Sequence, residues 1–148
     1  MKNSARVFIA RSGVAAVVVT MHVNDDGIWH EDGTPIVLQG PLIAEALGTA
    51  AASAMKQTAR RTKNLRDTKA SDWPAYRASG ETSVRQFERQ FVAIEVEGAN
   101  EANLVAVVTG SPEKDSELRV TSTASTAFPN GLGECILRVY EVCRDRRV

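Results

Sequence analysis

Long apolar runs are what this sequence most plainly lacks. The longest, Val14 to Val19, is strand-sized, whereas about 18 consecutive apolar residues are needed to cross a bilayer. The stretch Val7-Phe8-Ile9 near the start is too short for a signal peptide, and no A-x-A-like cleavage site follows it. The cytoplasm is therefore the expected location. Cysteine is scarce as well. Cys135 and Cys143 lie on one predicted helix, eight residues apart, which is about 12 Å along its axis. Disulfides tolerate Cα separations up to about 7 Å, so these two cannot pair within that helix. They read as small apolar core residues.

Side chains arranged for chemistry are equally sparse. His22 and His30 are the only histidines. A cysteine nucleophile would need an electropositive, partly exposed setting, and both cysteines fall on the apolar side of their helix. His22, His30, Glu31 and Asp32 lack a ligand spacing such as H-E-x-x-H, and a solvated loop is the expected state of this group. Asn24-Asp25-Asp26-Gly27 is too short for an EF-hand loop. The glycines form neither a dinucleotide fingerprint nor a P-loop. Gly131-Leu132-Gly133 is at most a hint of an anion site at a helix start, and more often such a pattern is a turn. The expectation is a protein that is not an enzyme and holds no cofactor and no metal.

What is present is an ordinary globular composition: 148 residues, 43% apolar and 24% charged. A chain of this length forms one domain, residues 1–148, able to bury roughly 70% of its unfolded surface. Net charge is zero, but residues 56–69 carry six basic side chains (Lys56, Arg60, Arg61, Lys63, Arg66, Lys69) against Asp67, while residues 70–143 carry six basic and eleven acidic ones.

Patterning predicts strands over residues 6–11, 14–23 and, irregularly and interrupted by Asp32-Gly33, 28–38, with Asn24 to Gly27 as a turn. Pro41 opens a helix whose apolar stripe is Ile43, Leu47, Ala50 and Ala54. The basic stretch to Lys69 has only Leu65 as an anchor and reads as a mobile connection. A short helix follows at 73–78. Ser83-Val84-Arg85-Gln86 has the form of a capping box, placing Val84, Phe87 and Phe91 on a buried side. Residues 91–97 alternate cleanly, with Val92, Ile94 and Val96 on one face. Strands at 104–109 and 118–123 come next. A final helix carries Leu132, Ile136, Val139 and Cys143 and ends in Arg144, Arg146 and Arg147, favourable at a helix C-terminus. The order is βββ-α-α-βββ-α. Turns in place of long crossovers imply an α+β fold with an antiparallel sheet of about six strands and helices packed on one face.

Two acidic groups are candidate partner-binding surfaces. Trp29 sits among Asp25, Asp26, Glu31 and Asp32; tryptophan is favoured at interface hot spots, and carboxylates around it suit a basic partner. A tryptophan folded over the sheet edge accounts for it equally well. Glu95 and Glu97 share a strand face, with Glu101 just beyond; a solvated face accounts for these too. The basic segment 56–69 could neutralise phosphates, which makes a nucleic-acid-binding regulator the alternative reading. That segment has no aromatic for base stacking, and no helix-turn-helix follows it.

Residues Trp73-Pro74-Ala75-Tyr76-Arg77-Ala78-Ser79-Gly80 and Ser83-Val84-Arg85-Gln86-Phe87-Glu88 carry a resemblance. They resemble the W-x-x-Y-x-x-x-x-x-x-S-x-x-x-F-E segment that precedes a strand in immunity proteins of bacterial contact-dependent growth inhibition systems. Val96 to Glu101 and Leu137-Arg138-Val139-Tyr140-Glu141 are similar in placement. The resemblance implies a cytoplasmic α+β domain that binds the C-terminal toxin domain of a secreted effector, often a nuclease, and blocks its active site. Trp73, Tyr76, Ser83, Val84 and Phe87 are then expected to be scaffold. The partner surface is expected at Trp29 with its carboxylates and at Glu95, Glu97 and Glu101.

Overall fold

The computed structural model describes residues 1–113 and 117–146. Strands β1 (Ser4–Ala10) and β2 (Ala15–Val23) form an antiparallel hairpin in which Phe8 pairs with Val17 and Val7 with Val18. On its other side β1 pairs antiparallel with β5 (Phe91–Gly98), followed by β6 (Val105–Gly110) and β7 (Val120–Ser125). Two short strands, β3 (Trp29–Glu31) and β4 (Ile36–Gln39), both pair with β2. The sheet therefore has seven antiparallel strands in the order β3-β2-β1-β5-β6-β7, with β4 beside β2. The α+β class and the antiparallel sheet are as the sequence implies. The expected irregular strand over 28–38 is two strands, because Asp32-Gly33-Thr34-Pro35 interrupts it: Gly33 has φ +91° and Pro35 has no N–H to give to a ladder.

Alternation along β1 sorts the core into two layers. Ala5, Val7 and Ile9 face one side with Val18, Val92, Ile94, Val96 and Val108. Against this side lie the two long helices, α1 (Ala44–Lys56), through Leu47, Ala51 and Met55, and α4 (Pro129–Arg146), through Leu132, Ile136, Val139 and both cysteines. Tyr140 Oη donates to the Ala10 carbonyl at 2.7 Å, so this buried phenol is satisfied. Ile43, expected in the α1 stripe, is the N-cap residue and 67% exposed.

The other side of β1 is covered only in part. Phe8, Val17, Val19, Met21 and Phe91 pack under Ala75 of α2 (Pro74–Ser79) and Phe87 of α3 (Val84–Gln90). The expectation of helices on one face thus holds for α1 and α4, while the two short helices cover the opposite face. Phe87 lies 5.0 Å from Phe8 and 5.1 Å from Phe91 between ring centroids. Ser83 Oγ accepts the Gln86 N–H at 3.1 Å, the forward bond expected of that cap.

The basic connection is not loose over its first half. Ala59 accepts from the Val23 N–H at 3.2 Å, and Arg61 donates its N–H to the Val23 carbonyl at 2.8 Å. The segment thereby takes the place beside β2 that β1 vacates below Ser4. Thr58 exchanges two hydrogen bonds with the backbone of Ser4, and the Lys63 carbonyl accepts from Asn24 Nδ2. At the chain's end, Arg144 sits 5.3 Å over the Tyr140 ring, whereas Arg147 lies outside the described residues.

Helices α1 and α4 meet through glycine. A Cβ on Gly133 would stand 1.7 Å from the Ala44 carbonyl oxygen, and one on Gly48 equally close to that of Pro129. Gly133 is a packing glycine within α4, which replaces the hint of an anion site. Alanine raises helix propensity by about 1 kcal/mol over glycine, yet here it must force the helices apart. We expect Gly133→Ala to destabilise the protein by about 1–3 kcal/mol, read as a fall in the urea midpoint. A rise in that midpoint would show that the helices can separate freely.

Candidate functional site

Where the short helices stop, the second sheet face lies bare. Glu95, Glu97, Thr121 and Thr123 are exposed there, beside Arg6 of β1. At the boundary between covered and bare sheet opens a cleft of about 480 Å³, whose lining includes Arg6, Met21, Trp29, Glu31, Asp67 and Trp73. A smaller depression adjoins it, lined among others by Arg6, Met21, Trp29, Glu95 and Glu97. The two surfaces expected separately, around Trp29 and at Glu95 with Glu97, are thus neighbours on one face.

Local sequence explains each wall. Asn24 is buried, and its Oδ1 accepts from the N–H of Asp26 at 3.0 Å and of Ile28 at 2.9 Å. That closes the turn, with Gly27 at φ +77°, and returns the chain as the edge strand β3. Trp29 pairs with Val23 and Glu31 with Met21, so both side chains take the second face. Trp73 precedes Pro74, which disfavours a helical conformation for the residue before it; Trp73 has φ −71° and ψ 133°. Its ring consequently stands outside α2 and is 44% exposed. This corrects the scaffold expectation for Trp73, while Phe87 is buried as expected. The dipeptide Trp-Pro was the available signal: a large apolar ring held extended just before a helix.

Glu31 is the polar floor. It is 6% exposed, and its Oε1 accepts the Ala75 N–H at 2.9 Å, in the first turn of α2. Burial pushes its carboxyl above the ordinary glutamate value of 4.5, against the weaker opposing effects of the Ala75 N–H and the Arg6 charge. The expectation of a solvated acidic turn therefore fails for Glu31. Asp25 and Asp26 are exposed in the turn itself. Asp32 points elsewhere, accepting from the Gly33 N–H and lying 3.9 Å from Lys63 Nζ. Glu101 is in the β5–β6 turn, 3.6 Å from the amino group of Met1, away from the cleft lining.

The histidines are not in a solvated loop. His22 and His30 are cross-strand partners, both buried, with ring centroids 6.3 Å apart. His22 Nδ1 accepts the Ala59 N–H, and burial followed by the Arg61 charge holds its pKa below the ordinary value. Among the described residues no group of His, Cys, Asp and Glu could hold a metal ion, and no helix is long and apolar enough to cross a membrane.

Neither a protein-family model nor a curated protein matches the sequence. Solved structures with the same fold do exist. A protein of unknown function from Neisseria meningitidis matches with TM-score 0.70 at 16% identity, over 99% of this chain and 95% of its own. A chain of a CdiA-CT/CdiI toxin and immunity complex from Yersinia pseudotuberculosis matches with TM-score 0.65 at 11% identity, over 97% and 98% respectively. At such identities the likeness concerns the fold.

The environment of Glu31 yields a signed prediction. A carboxyl whose folded pKa is raised binds more protons folded than unfolded. Stability associated with its protonated form is then present below about pH 4.5 and is lost as pH rises through the folded value. Glu31→Gln keeps an acceptor for Ala75 and removes the titration. The stability of wild type relative to Glu31→Gln should therefore decline as pH rises above about 4.5, measured by urea unfolding at each pH. A difference independent of pH would place the carboxylate in water.

Proposed function

We propose that this chain is a non-enzymatic immunity protein, acting in the cytoplasm, that binds the C-terminal toxin domain of a contact-dependent growth inhibition effector and blocks it. The observation that carries the reading is the bare half of the second sheet face, where Trp29 and Trp73 stand exposed beside Arg6, Glu95 and Glu97. The likeness of fold to a chain of a toxin and immunity complex supports the same reading. Interfaces of standard size bury about 800 Å² per partner and concentrate their energy in a few anchors, with tryptophan and arginine prominent. A flat strand face flanked by two indoles meets that requirement without any moving part.

A nuclease is the toxin class that this surface suits best. An active site that takes up phosphate must present cations, and carboxylates on an inhibitor pair with those cations at contact distance once desolvated. Inhibition is then stoichiometric: the inhibitor covers the site and turns nothing over. The basic segment 56–69 is less suited to the nucleic-acid alternative, because part of its backbone is bonded to β2 and Lys63 is near Asp32.

The test pairs the chain with the toxin domain of a cognate effector, sought in the gene next to its own. Glu97 is exposed and forms no ion pair among the described residues, so its reversal leaves folding nearly untouched. Glu97→Lys is expected to weaken toxin binding at least about tenfold, which is about 1.4 kcal/mol, with an unchanged unfolding midpoint. Glu141→Lys, an exposed change on α4, is expected to bind like wild type. Wild-type affinity in both Glu95→Lys and Glu97→Lys would remove the strand face from the interface. Failure of the wild-type chain to protect cells against that toxin would overturn the immunity reading itself.

A further inference from the structure

The cleft between Trp29 and Trp73 has a charge arrangement that the whole-chain balance hides. Its two cations are engaged by carboxylates outside the cleft lining: Arg6 Nη2 lies 3.0 Å from Glu95, and Lys63 Nζ lies 3.9 Å from Asp32. Of its carboxylates, Asp72 is used by Arg77 and by the Lys69 N–H. Glu31 and Asp67 form no ion pair among the described residues. Glu31 is the more telling of the two. It is 6% exposed, only Oε1 is occupied, by the Ala75 N–H, and its second oxygen accepts no hydrogen bond among the described residues. That oxygen is open to the cleft, and a partner that closes the cleft must supply a donor in place of the water it displaces.

We propose that this cleft seats an arginine side chain of the partner, its guanidinium lying on the indole faces of Trp29 and Trp73 and its N–H donors reaching Glu31. The inference rests on the partner-binding reading and specifies what the partner brings. A guanidinium fits better than an ammonium, because it is planar, stacks on aromatic faces, is weakly hydrated and bonds a carboxylate through a fork of donors. An apolar side chain would leave Glu31 buried without a partner, and an anion would meet its charge. The volume of about 480 Å³ exceeds one side chain, so residues flanking the arginine enter with it.

The chain has two tryptophans and both line the cleft, so tryptophan fluorescence, excited where tyrosine does not absorb, reports on this site. The probes are N-acetyl-L-argininamide and its lysine and citrulline counterparts, titrated into the intact protein. A saturable change in emission is expected with the arginine compound, with binding at least about fivefold weaker for lysine and for the uncharged citrulline. Glu31→Gln should weaken the arginine compound by at least about the same factor, with circular dichroism unchanged. Should Glu31→Gln fail to fold, Asp67→Asn and Trp73→Ala carry the test, since both positions are exposed and each must weaken binding. No saturable change with the arginine compound, equal binding of citrulline or lysine, or full binding by the folded variants would each overturn the assignment. Protection against toxin by a chain whose fluorescence does not respond overturns the cleft and retains the immunity reading. A saturable response in a chain that protects against nothing does the reverse.

Discussion

Everything distinctive about this molecule depends on one constraint: its sheet is buried on one face throughout and on the other only at one end. Helices α1 and α4 run along the first face and bury the residues of β1 that alternate with Arg6 and Phe8. The second face has only α2 and α3, of six and seven residues, to cover it. The apolar side chains needing that cover are Phe8, Val17, Val19 and Phe91, and they cluster beneath Ala75 and Phe87. Two residues along the same strands from Phe8 and Ala93 the side chains become Arg6 and Glu95, which pair at 3.0 Å in the open. The border between cover and solvent is therefore written into the alternation of β1 and β5, and the cleft lies on that border.

Glu31 couples this border to the edge of the sheet. Its carboxylate joins β3, the outermost strand on that side, to the first turn of α2, 44 residues later in the chain. A donor in the first turn of a helix has no partner within the helix and must find one elsewhere. Supplying it from a buried carboxylate fixes where α2 begins, and with it the direction in which Trp73 leaves the chain. Pro74 completes the geometry, since the residue ahead of it is held extended. Three local features, an edge strand, a capped helix start and a Trp-Pro step, together define one wall of the cleft.

Much of this architecture was legible in the sequence because period is a strong signal. The clean alternation of Val92, Ile94 and Val96 and the helical spacing of Leu132, Ile136, Val139 and Cys143 both appear in the core as read. Breaks in period were less legible. Residues 28–38 read as one irregular strand interrupted at Asp32-Gly33, and that the interruption separates two strands emerges only when both halves find β2. The candidate site was half visible. Trp29, Glu95 and Glu97 were named from their local chemistry, but a strand's neighbour three positions away in the sheet cannot be inferred from spacing. Nor can burial of a carboxylate such as Glu31, whose local context, Trp-His-Glu-Asp, is that of a solvated turn. The basic stretch misled in the same way: six cations with one apolar anchor look loose, yet backbone groups that composition does not describe bond residues 59 and 61 to Val23.

Net charge is a poor guide to what such a surface can bind. A protein with eighteen basic and eighteen acidic side chains is neutral at a distance well beyond the Debye length, about 8 Å at physiological ionic strength. At contact distance only the local pairing matters. Here the cations nearest the cleft are already engaged, Arg6 by Glu95 and Lys63 by Asp32, so the groups left for an incoming molecule are the carboxylates and the indoles. Pairing of this kind also changes kinetics: little long-range attraction remains to speed the encounter, and affinity must come from slow dissociation once anchors are buried. A neutral chain with an anionic, aromatic cleft should consequently recognise its partner by fit at close range, with an association rate that depends only weakly on salt.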